Sequence, residues 1–404
     1  MPKNIVVLCD GTSNEISSDR TNVLRLFGTL ERSERQIVFY DPGVGTFGAE
    51  NAWSYTYRKA IEIWGLATGW GLDRNVKEAY RFIVENYDDG KRAGGQGGEN
   101  VERDRIYIFG FSRGAYTARV LAGFIHAVGL IDPVNLNLLD YAYRAYKRVG
   151  EQDDERSQGA GSPSRRFAEV RLYERILRTD RPPVRVLGLF DTVASIIEWG
   201  RFGPRLRSHA FTRTNQSVET VRHAVAIQER RTMFQPKLWP ADGEYWGNPF
   251  NRGAARPQDT REVWFTGVHG DVGGGYPEAA SALAKIPLDW MIRETKATGL
   301  HFRTRTINEI VLGRNAEKHY VAPDAGGRLH NSMNWAWSIL EFLPRRAPRD
   351  GSERRFSILG FYIPFFENRR IPPGAKIHRS VTDRAEANGE PSPGNVPDDH
   401  EVVA

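Results

Sequence analysis

A glycine-flanked serine that follows a short apolar run constrains the fold of this 404-residue chain more than any other feature. Residues 105–109 (RIYIF) predict a buried strand, residues 115–128 predict a helix, and Ser112 lies at their junction between Gly110 and Gly114. A turn this tight leaves almost no room for side chains beside its apex, and glycine meets that demand. Strand, Gly-x-Ser-x-Gly turn and helix in this order predict a nucleophile elbow, with Ser112 as the nucleophile.

Other apolar runs predict the sheet to which this strand belongs. Strands buried on both faces of a parallel sheet have continuous apolar sequences, and such runs occupy residues 4–9, 36–40, 184–190 and 262–268. Helical spacing is present at residues 21–30, 73–87, 136–148, 217–231 and 283–298. The predicted fold class is α/β: an α/β-hydrolase-like, mostly parallel sheet flanked by helices, with an irregular, aromatic-rich C-terminal extension.

The same apolar runs and helical spacings predict the domain organisation. Residues 1–300 form the catalytic domain, residues 301–385 an extension that packs on or caps it, and residues 386–404 a polar, disordered tail. Core packing is the preferred interpretation of the aromatic residues at 334–366, with an interfacial lid as the alternative.

Two further residues at predicted strand ends complete a candidate catalytic triad. Asp191 follows the run at 184–190, and His269 follows the run at 262–268. Catalytic groups of α/β sheets gather at the carboxyl ends of strands, and the order serine, acid, histidine is that of α/β-hydrolases. Asp271 is the rival acid, but it would have to fold back on its own loop to reach His269. We therefore predict Ser112 as nucleophile, His269 as base and Asp191 as the acid that orients it.

An oxyanion hole would be formed by backbone amides close to the serine. The N–H of Arg113, at the start of the elbow helix, is the first predicted donor, and Gly11 or Thr12, in the loop after the first strand, supplies the second. Asp10 in that loop is a secondary candidate, expected to act as a turn or cap residue. The triplet at residues 10–12 is similar to that of phosphatases with an aspartyl nucleophile. Leu8 stands where their attacking carboxylate would be, which excludes that chemistry.

Composition and charge exclude several classes of protein. A net charge of +6 is spread among acidic residues, so no nucleic-acid partner is predicted. Cys9 is the only cysteine, which excludes an internal disulfide and a cysteine-based metal cluster, and we predict neither a metal nor a cofactor. Residues 1–10 lack a signal-peptide pattern, and no apolar run reaches the roughly 18 residues of a membrane span. Synthesis and folding in the cytoplasm are expected, with any export independent of a signal peptide.

Six segments resemble, in order, motifs of the catalytic-domain family of type VI secretion lipase effectors, long catalogued as a domain of unknown function. They are LCDGT, YDPGVGT, FGFSRGAYTAR, FDTVAS, WFTGVHGDVGGGY and IHRSV. The likeness spans most of residues 1–300, with a thinner match to about residue 383. It implies an α/β-hydrolase domain and phospholipase A-type hydrolysis in lipid degradation, with Ser112, Asp191 and His269 at the triad positions. The chain departs from the family in a GGQGG insertion at residues 94–98 and in having no obvious large membrane-binding module.

Alternatives remain open from the sequence alone. A carboxylesterase or acyltransferase acting on a soluble ester would use the same triad, and a binding module could keep the fold without turnover. The predicted partner is a lipid or other ester substrate, with transient contact to a membrane surface. An immunity or secretion partner is left unidentified.

Overall fold

The computed structural model describes residues 2–11, 20–43, 71–90, 102–156, 176–177, 179–193, 197–200, 203–206, 209–247, 252–315, 319–342, 344–346, 361–389 and 391–404. Thr12, the GGQGG insertion and the aromatic stretch at residues 53–70 lie outside these residues, so the predictions made for them stay predictions.

Eight strands form one sheet in which every neighbouring pair is parallel. In chain order they are β1 (Asn4–Cys9), β2 (Gln36–Asp41), β3 (Arg105–Phe111), β4 (Val184–Phe190), β5 (Val218–Ala226), β6 (Asp259–Phe265), β7 (Ala375–His378) and β8 (His400–Val403). Their order across the sheet is β8-β7-β6-β5-β4-β3-β1-β2. Three antiparallel two-stranded sheets among the described residues lie outside it and pair Ile197–Gly200 with Gly203–Leu206, Glu244–Tyr245 with Arg256–Pro257, and Arg345–Arg346 with Phe361–Tyr362.

The principal helices are α1 (Asn22–Thr29), α2 (Leu72–Asn86), α3 (Arg113–Val128), α4 (Leu139–Arg156), α5 (His269–Gly273), α6 (Ala282–Lys296), α7 (Trp335–Glu341) and α8 (Ser380–Asn388). Short helical turns occupy Pro133–Leu138, Thr232–Phe234, Arg252–Ala254, Glu278–Ala280, Thr304–Thr306 and Ile307–Val311. Among the described helices, none has both the length and the apolar character needed to cross a membrane. The predicted α/β fold class is confirmed.

The sheet buries apolar side chains on both faces. On β1, Ile5 and Val7 face a core shared with α2, α3 and α4, whereas Val6 and Leu8 face a core shared with α1 and α6. Because successive side chains of a strand point to opposite faces, a strand between two helical layers must be apolar throughout. The continuous run that predicted β1 is the result of this layering.

The order of the first three strands creates a topological switch point in the sheet. β1 lies between β2 on one side and β3 on the other, and the remaining strands follow on the β3 side. In open α/β sheets a crevice forms outside the carboxyl ends of the strands at such a point. The fold therefore brings the loop after β1 and the elbow after β3 together at one edge.

The prediction of a helix at residues 217–231 is wrong, because residues 218–226 form β5. β5 lies in the interior of the sheet, between β4 and β6. Its polar side chains obtain partners from neighbouring elements: Arg222 pairs with Glu294 on α6 at 2.6 Å and with Asp259 on β6 at 2.8 Å. The amphipathic spacing that predicted a helix therefore belongs to a strand, in which long-range ion pairs satisfy a buried polar group.

The prediction of a disordered tail at residues 386–404 is wrong for the described part of that segment. α8 continues to Asn388, and β8 pairs with β7 in a register that runs from Ala375↔His400 to His378↔Val403. Backbone groups alone can form such an edge pairing, so a polar sequence does not prevent it. Since β7 and β8 both come after residue 300, the sheet continues past the predicted domain boundary. The division of the chain into domains itself stays a prediction.

Candidate active site

Ser112 occupies the turn between β3 and α3 in a conformation that few residues with a side chain adopt. Its φ is 57° and its ψ is −121°, a sparsely populated region for a non-glycine residue. The backbone N–H of Ser112 donates to the carbonyl of Phe190 at 3.1 Å, which ties the turn to the end of β4. The side chain is 7% exposed, at the carboxyl edge of the sheet.

The two glycines of the motif are required by close backbone contacts. A Cβ at Gly110 would lie 2.3 Å from the carbonyl oxygen of Gly114, and a Cβ at Gly114 would lie 2.1 Å from that of Cys9. Both distances are shorter than real Cβ contacts. The motif therefore lets the start of α3 pack directly against the end of β1.

Asp191 and His269 meet at the same edge of the sheet. Asp191 directly follows β4 and is 0% exposed, and His269 is the first residue of α5 and is 7% exposed. The His269 Nδ1–H donates to Asp191 Oδ2 at 2.5 Å. Phe111, the neighbour of Ser112, packs against the imidazole with ring centroids 4.6 Å apart. The fold thus brings an aspartate–histidine pair beside the elbow.

Within the described residues, the Ser112 hydroxyl makes no hydrogen bond to His269. Hydrogen bonds of this kind are often long in unliganded enzymes and tighten when substrate is bound.

The protonation states of the pair follow from its surroundings. Burial alone would raise the pKa of Asp191, but the positive charge of Arg369 and the hydrogen bond from His269 outweigh it and hold that pKa well below its usual range. Burial lowers the pKa of His269, and the hydrogen bond and charge of Asp191 oppose this only in part. At neutral pH the pair is therefore a carboxylate and a neutral imidazole, the state in which histidine accepts a proton.

Arg369 is a site residue that the sequence analysis did not find. Arg369 is 1% exposed, and its guanidinium donates to both carboxylate oxygens of Asp191, at 2.5 and 3.0 Å. It lies 178 residues from Asp191 in the chain, in a segment whose neighbour Arg370 is exposed. No local spacing distinguishes the buried arginine from the exposed one, so no sequence signal was available.

Glu229 holds the backbone beside the imidazole. Its carboxylate accepts the N–H of His269 at 3.2 Å, the Ser332 hydroxyl at 2.9 Å and the guanidinium of Arg231 at 2.9 Å. Burial would raise the pKa of Glu229, but the hydrogen bond and charge of Arg231 lower it to about 2. The ion pair between Glu229 and Arg231 thereby supports the start of α5.

His223 is paired within the sheet. Its Nδ1–H donates to Glu262 on β6 at 2.8 Å, and its Nε2 accepts the N–H of Thr192 at 3.2 Å. Nε2 thus holds the loop that follows Asp191, and Nδ1 joins β5 to β6.

Asp271 is not brought together with His269. Its carboxylate instead accepts the Nδ1–H of His330 at 2.6 Å and the N–H of Val268 at 3.0 Å. His330 is in turn stacked on Tyr276, with ring centroids 3.7 Å apart. His269 and Asp271 both lie on α5, and side chains two residues apart on a helix do not face each other. The geometry therefore favours Asp191 over Asp271 as the partner of the imidazole.

The loop after β1 contains Gly11, one of the predicted oxyanion donors. The N–H of Gly11 donates to Asp10 Oδ1 at 2.7 Å, so this amide is engaged within its own turn. Asp10 Oδ2 accepts the hydroxyls of Thr21 at 2.5 Å and Tyr40 at 2.7 Å, so Asp10 joins the loop to α1 and β2. Arg113 begins α3 directly after Ser112, so its amide is at the position required of the first donor.

In the described parts of the chain, no group of three or more His, Cys, Asp or Glu side chains converges as metal ligands would.

A family model described as "T6SS, Phospholipase effector Tle1-like, catalytic domain" matches residues 3–294. "Uncharacterized protein YEL023C" of Saccharomyces cerevisiae (strain ATCC 204508 / S288c) is 32% identical over 246 residues, which cover 58% of this chain and 32% of the yeast protein. The chain therefore spans less than half the length of this curated relative.

Two solved structures are also similar. One is described as the crystal structure of an uncharacterized protein from Pseudomonas aeruginosa, with 20% identity, a TM-score of 0.38 and coverage of 75% of this chain and 46% of that one. The other is described as the structure of the Tle1 effector bound to the VgrG spike from the Type 6 secretion system, with 19% identity, a TM-score of 0.34 and coverage of 70% and 52%.

Proposed function

We propose that this chain, which belongs to the Tle1-like catalytic-domain family of type VI secretion phospholipase effectors, is a serine hydrolase that cleaves carboxylic esters through an acyl-enzyme on Ser112. The observation that carries the proposal is a serine held at positive φ beside a buried Asp191–His269 pair. Family membership supports phospholipid hydrolysis in general. The acyl ester of a phospholipid, cleaved in a phospholipase A-type reaction, is the substrate we propose.

The proposed reaction assigns one role to each of the three side chains. His269 Nε2 takes the proton of Ser112 as its Oγ attacks the ester carbonyl, while Asp191 keeps the other imidazole proton on Nδ1 and stabilises the cation that forms. The N–H of Arg113 donates to the oxyanion. Collapse breaks the bond to the leaving alcohol, which receives the proton from His269. Water, activated by the same imidazole, then hydrolyses the acyl-enzyme and restores the Ser112 hydroxyl.

An exposed apolar surface close to the candidate base supports a lipid substrate. Trp335, Ile339 and Phe342 are 73%, 56% and 53% exposed, and they share one side of α7 and its C-terminal end. The sequence favoured core packing for residues 334–366, and for these three side chains that prediction is wrong. Trp337, buried on the opposite side, packs against Phe234, whose ring centroid lies 5.0 Å from that of His269. Exposed apolar patches of this kind mark contacts with membranes or partners.

Fatty-acid release from vesicles of phosphatidylcholine and phosphatidylglycerol tests the proposal. Wild-type protein should release fatty acid, Ser112→Ala should not, and Ser33→Ala, at an exposed serine before β2, should retain wild-type activity. A short soluble ester, assayed in parallel, separates the lipid substrate from a general esterase. Serine-dependent cleavage of the soluble ester alone would keep the triad and reject the phospholipid. Vesicle hydrolysis that persists in Ser112→Ala would reject the acyl-enzyme.

Family membership also supports export by a type VI secretion machine, without an N-terminal signal. Transfer of the protein from a producing strain should then require that machine and should be unaffected by Ser112→Ala. Release from a strain that lacks the machine would contradict this part of the proposal.

A further inference from the structure

We propose that Arg369 is the positioning residue of the candidate active site, and that its guanidinium holds the Asp191 carboxylate in the orientation that receives His269 Nδ1–H. Arg369 lies beyond residues 3–294, which the family model matches. The end of the chain would therefore complete the catalytic arrangement. The kinetic part of the test below rests on the proposed function, whereas the spectroscopic part does not.

The hydrogen bonds around Asp191 leave its carboxylate one orientation. Oδ1 accepts Arg369 Nη1 at 2.5 Å and the N–H of Ala226 at 3.0 Å. Oδ2 accepts Arg369 Nη2 at 3.0 Å and His269 Nδ1–H at 2.5 Å. A bidentate arginine sets the plane of a carboxylate as well as its charge, which an ammonium group does not do.

The guanidinium of Arg369 is also fixed by hydrogen bonds to backbone carbonyls. Its Nη1 also donates to the carbonyl of Ala226 at 2.8 Å, and its Nη2 donates to the carbonyl of Phe234. Asn395 fixes the backbone, because its Nδ2 donates to the carbonyls of Arg369 and Ile227 at 3.0 Å each. The segments before β7 and before β8 thus place Arg369 against the loops that follow β4 and β5.

Charge compensation is the second consequence of this contact. Asp191 is 0% exposed, and a buried carboxylate without a cation is strongly destabilising. Among the residues that the structure describes, the titratable and charged groups that face the Asp191–His269 pair are Arg369, His223, Glu229 and Arg231. Glu229 and Arg231 pair with each other at 2.9 Å, and burial lowers the pKa of His223. Arg369 directly contacts Asp191, and its positive charge offsets the carboxylate charge that favours the imidazolium form of His269.

The first experiment follows the His269 imidazole by NMR as a function of pH, without substrate. Its resonance is identified by its loss in His269→Asn. In Arg369→Met the pKa of His269 should rise, because the Asp191 charge that favours the imidazolium is no longer offset by Arg369. The matched control is Arg25→Met, which removes another buried arginine, one that pairs with Glu278 at 3.0 Å and makes no contact with the triad residues. An unchanged His269 pKa in folded Arg369→Met would overturn the proposal.

The second experiment measures kcat/KM against pH on a short soluble ester. The acid limb of Arg369→Met should move to higher pH by about one unit, which corresponds to about tenfold lower kcat/KM on the acidic side. In Arg369→Lys the charge remains, so the limb should stay near that of the wild type. Its plateau kcat should fall about tenfold with little change in KM, because one ammonium cannot orient both oxygens. A wild-type plateau in Arg369→Lys together with a wild-type limb in Arg369→Met would refute the positioning role.

The two experiments separate failure of the proposal from failure of the proposed function. A wild-type protein that cleaves no ester would reject the reaction, while the imidazole titration would still decide what Arg369 does. If Arg369→Met does not fold, Arg369→Lys and Arg369→Gln form the comparison: the charge-retaining variant should keep the wild-type His269 pKa and the neutral one should raise it. Equal pKa values in these two variants would count against the proposal.

Discussion

Replacing Ser112 by glycine should leave a more stable protein than replacing it by alanine, although both variants lose the candidate nucleophile. Ser112 has φ 57° and ψ −121°, and a Cβ in such a region costs about 1–3 kcal/mol. Alanine keeps that Cβ, whereas glycine does not. Glycine increases the freedom of the unfolded chain, at a cost of about 0.4–1 kcal/mol. The net expectation is that the glycine variant is more stable by about 1 kcal/mol.

Urea denaturation of the two variants measures this difference, with the m-values compared to establish that the unfolded states are alike. Ser281 provides the matched control, because its φ of −99° and ψ of 9° carry no left-handed strain. At that position the order should reverse, with alanine more stable than glycine by about 0.4–1 kcal/mol. If alanine were the more stable residue at both positions, the elbow would hold no strain and the reasoning would be refuted.

Three further predictions concern the surroundings of the serine. Gly114→Ala places a Cβ 2.1 Å from a β1 carbonyl oxygen and should lower the free energy of unfolding by about 1–3 kcal/mol, whereas Gly253→Ala, with nothing within 4 Å, should stay within about 0.5 kcal/mol of the wild type by urea denaturation. Asp191→Asn should lower kcat on a soluble ester about 10⁴-fold, the scale of a lost triad carboxylate, and Asp271→Asn less than tenfold; similar losses would restore Asp271 as the acid. Glu229, whose pKa is about 2 in the folded protein, should stabilise the fold above its unfolded pKa of about 4.3 and lose this effect as the pH falls toward 2. Glu229→Gln should therefore be less stable than the wild type at pH 7 and approach it in acid, and a pH-independent difference in urea midpoints would contradict this.

The sequence could predict the position of Ser112, Asp191 and His269 because each depends on local structure. A glycine-flanked turn between a strand and a helix is encoded within a dozen residues, and apolar runs mark the strands of a parallel sheet. The carboxyl ends of parallel strands share one edge, so residues that follow different strands are brought together. The catalytic roles of these three residues stay predictions until the variants above are measured.

The sequence could not identify β5. Its residues have helix-like spacing, and its polar residues include Arg222 and His223, which are buried. In the structure they reach Asp259, Glu262 and Glu294, which lie on β6 and α6. The spacing of apolar residues indicates which side of an element is buried. It predicts the wrong type of element where charges from distant segments satisfy buried polar groups.

The strand order, the pairing of β8 with β7 and the contact of Arg369 with Asp191 were decided by the tertiary structure alone. Each joins segments far apart in the chain through backbone hydrogen bonds or a buried ion pair, and neither kind of contact leaves a local pattern in the sequence. By itself the sequence determined the α/β class, the buried strands β1, β3 and β4, and the glycine-flanked turn at Ser112, because short-range sterics and burial on both faces of the sheet select those residues.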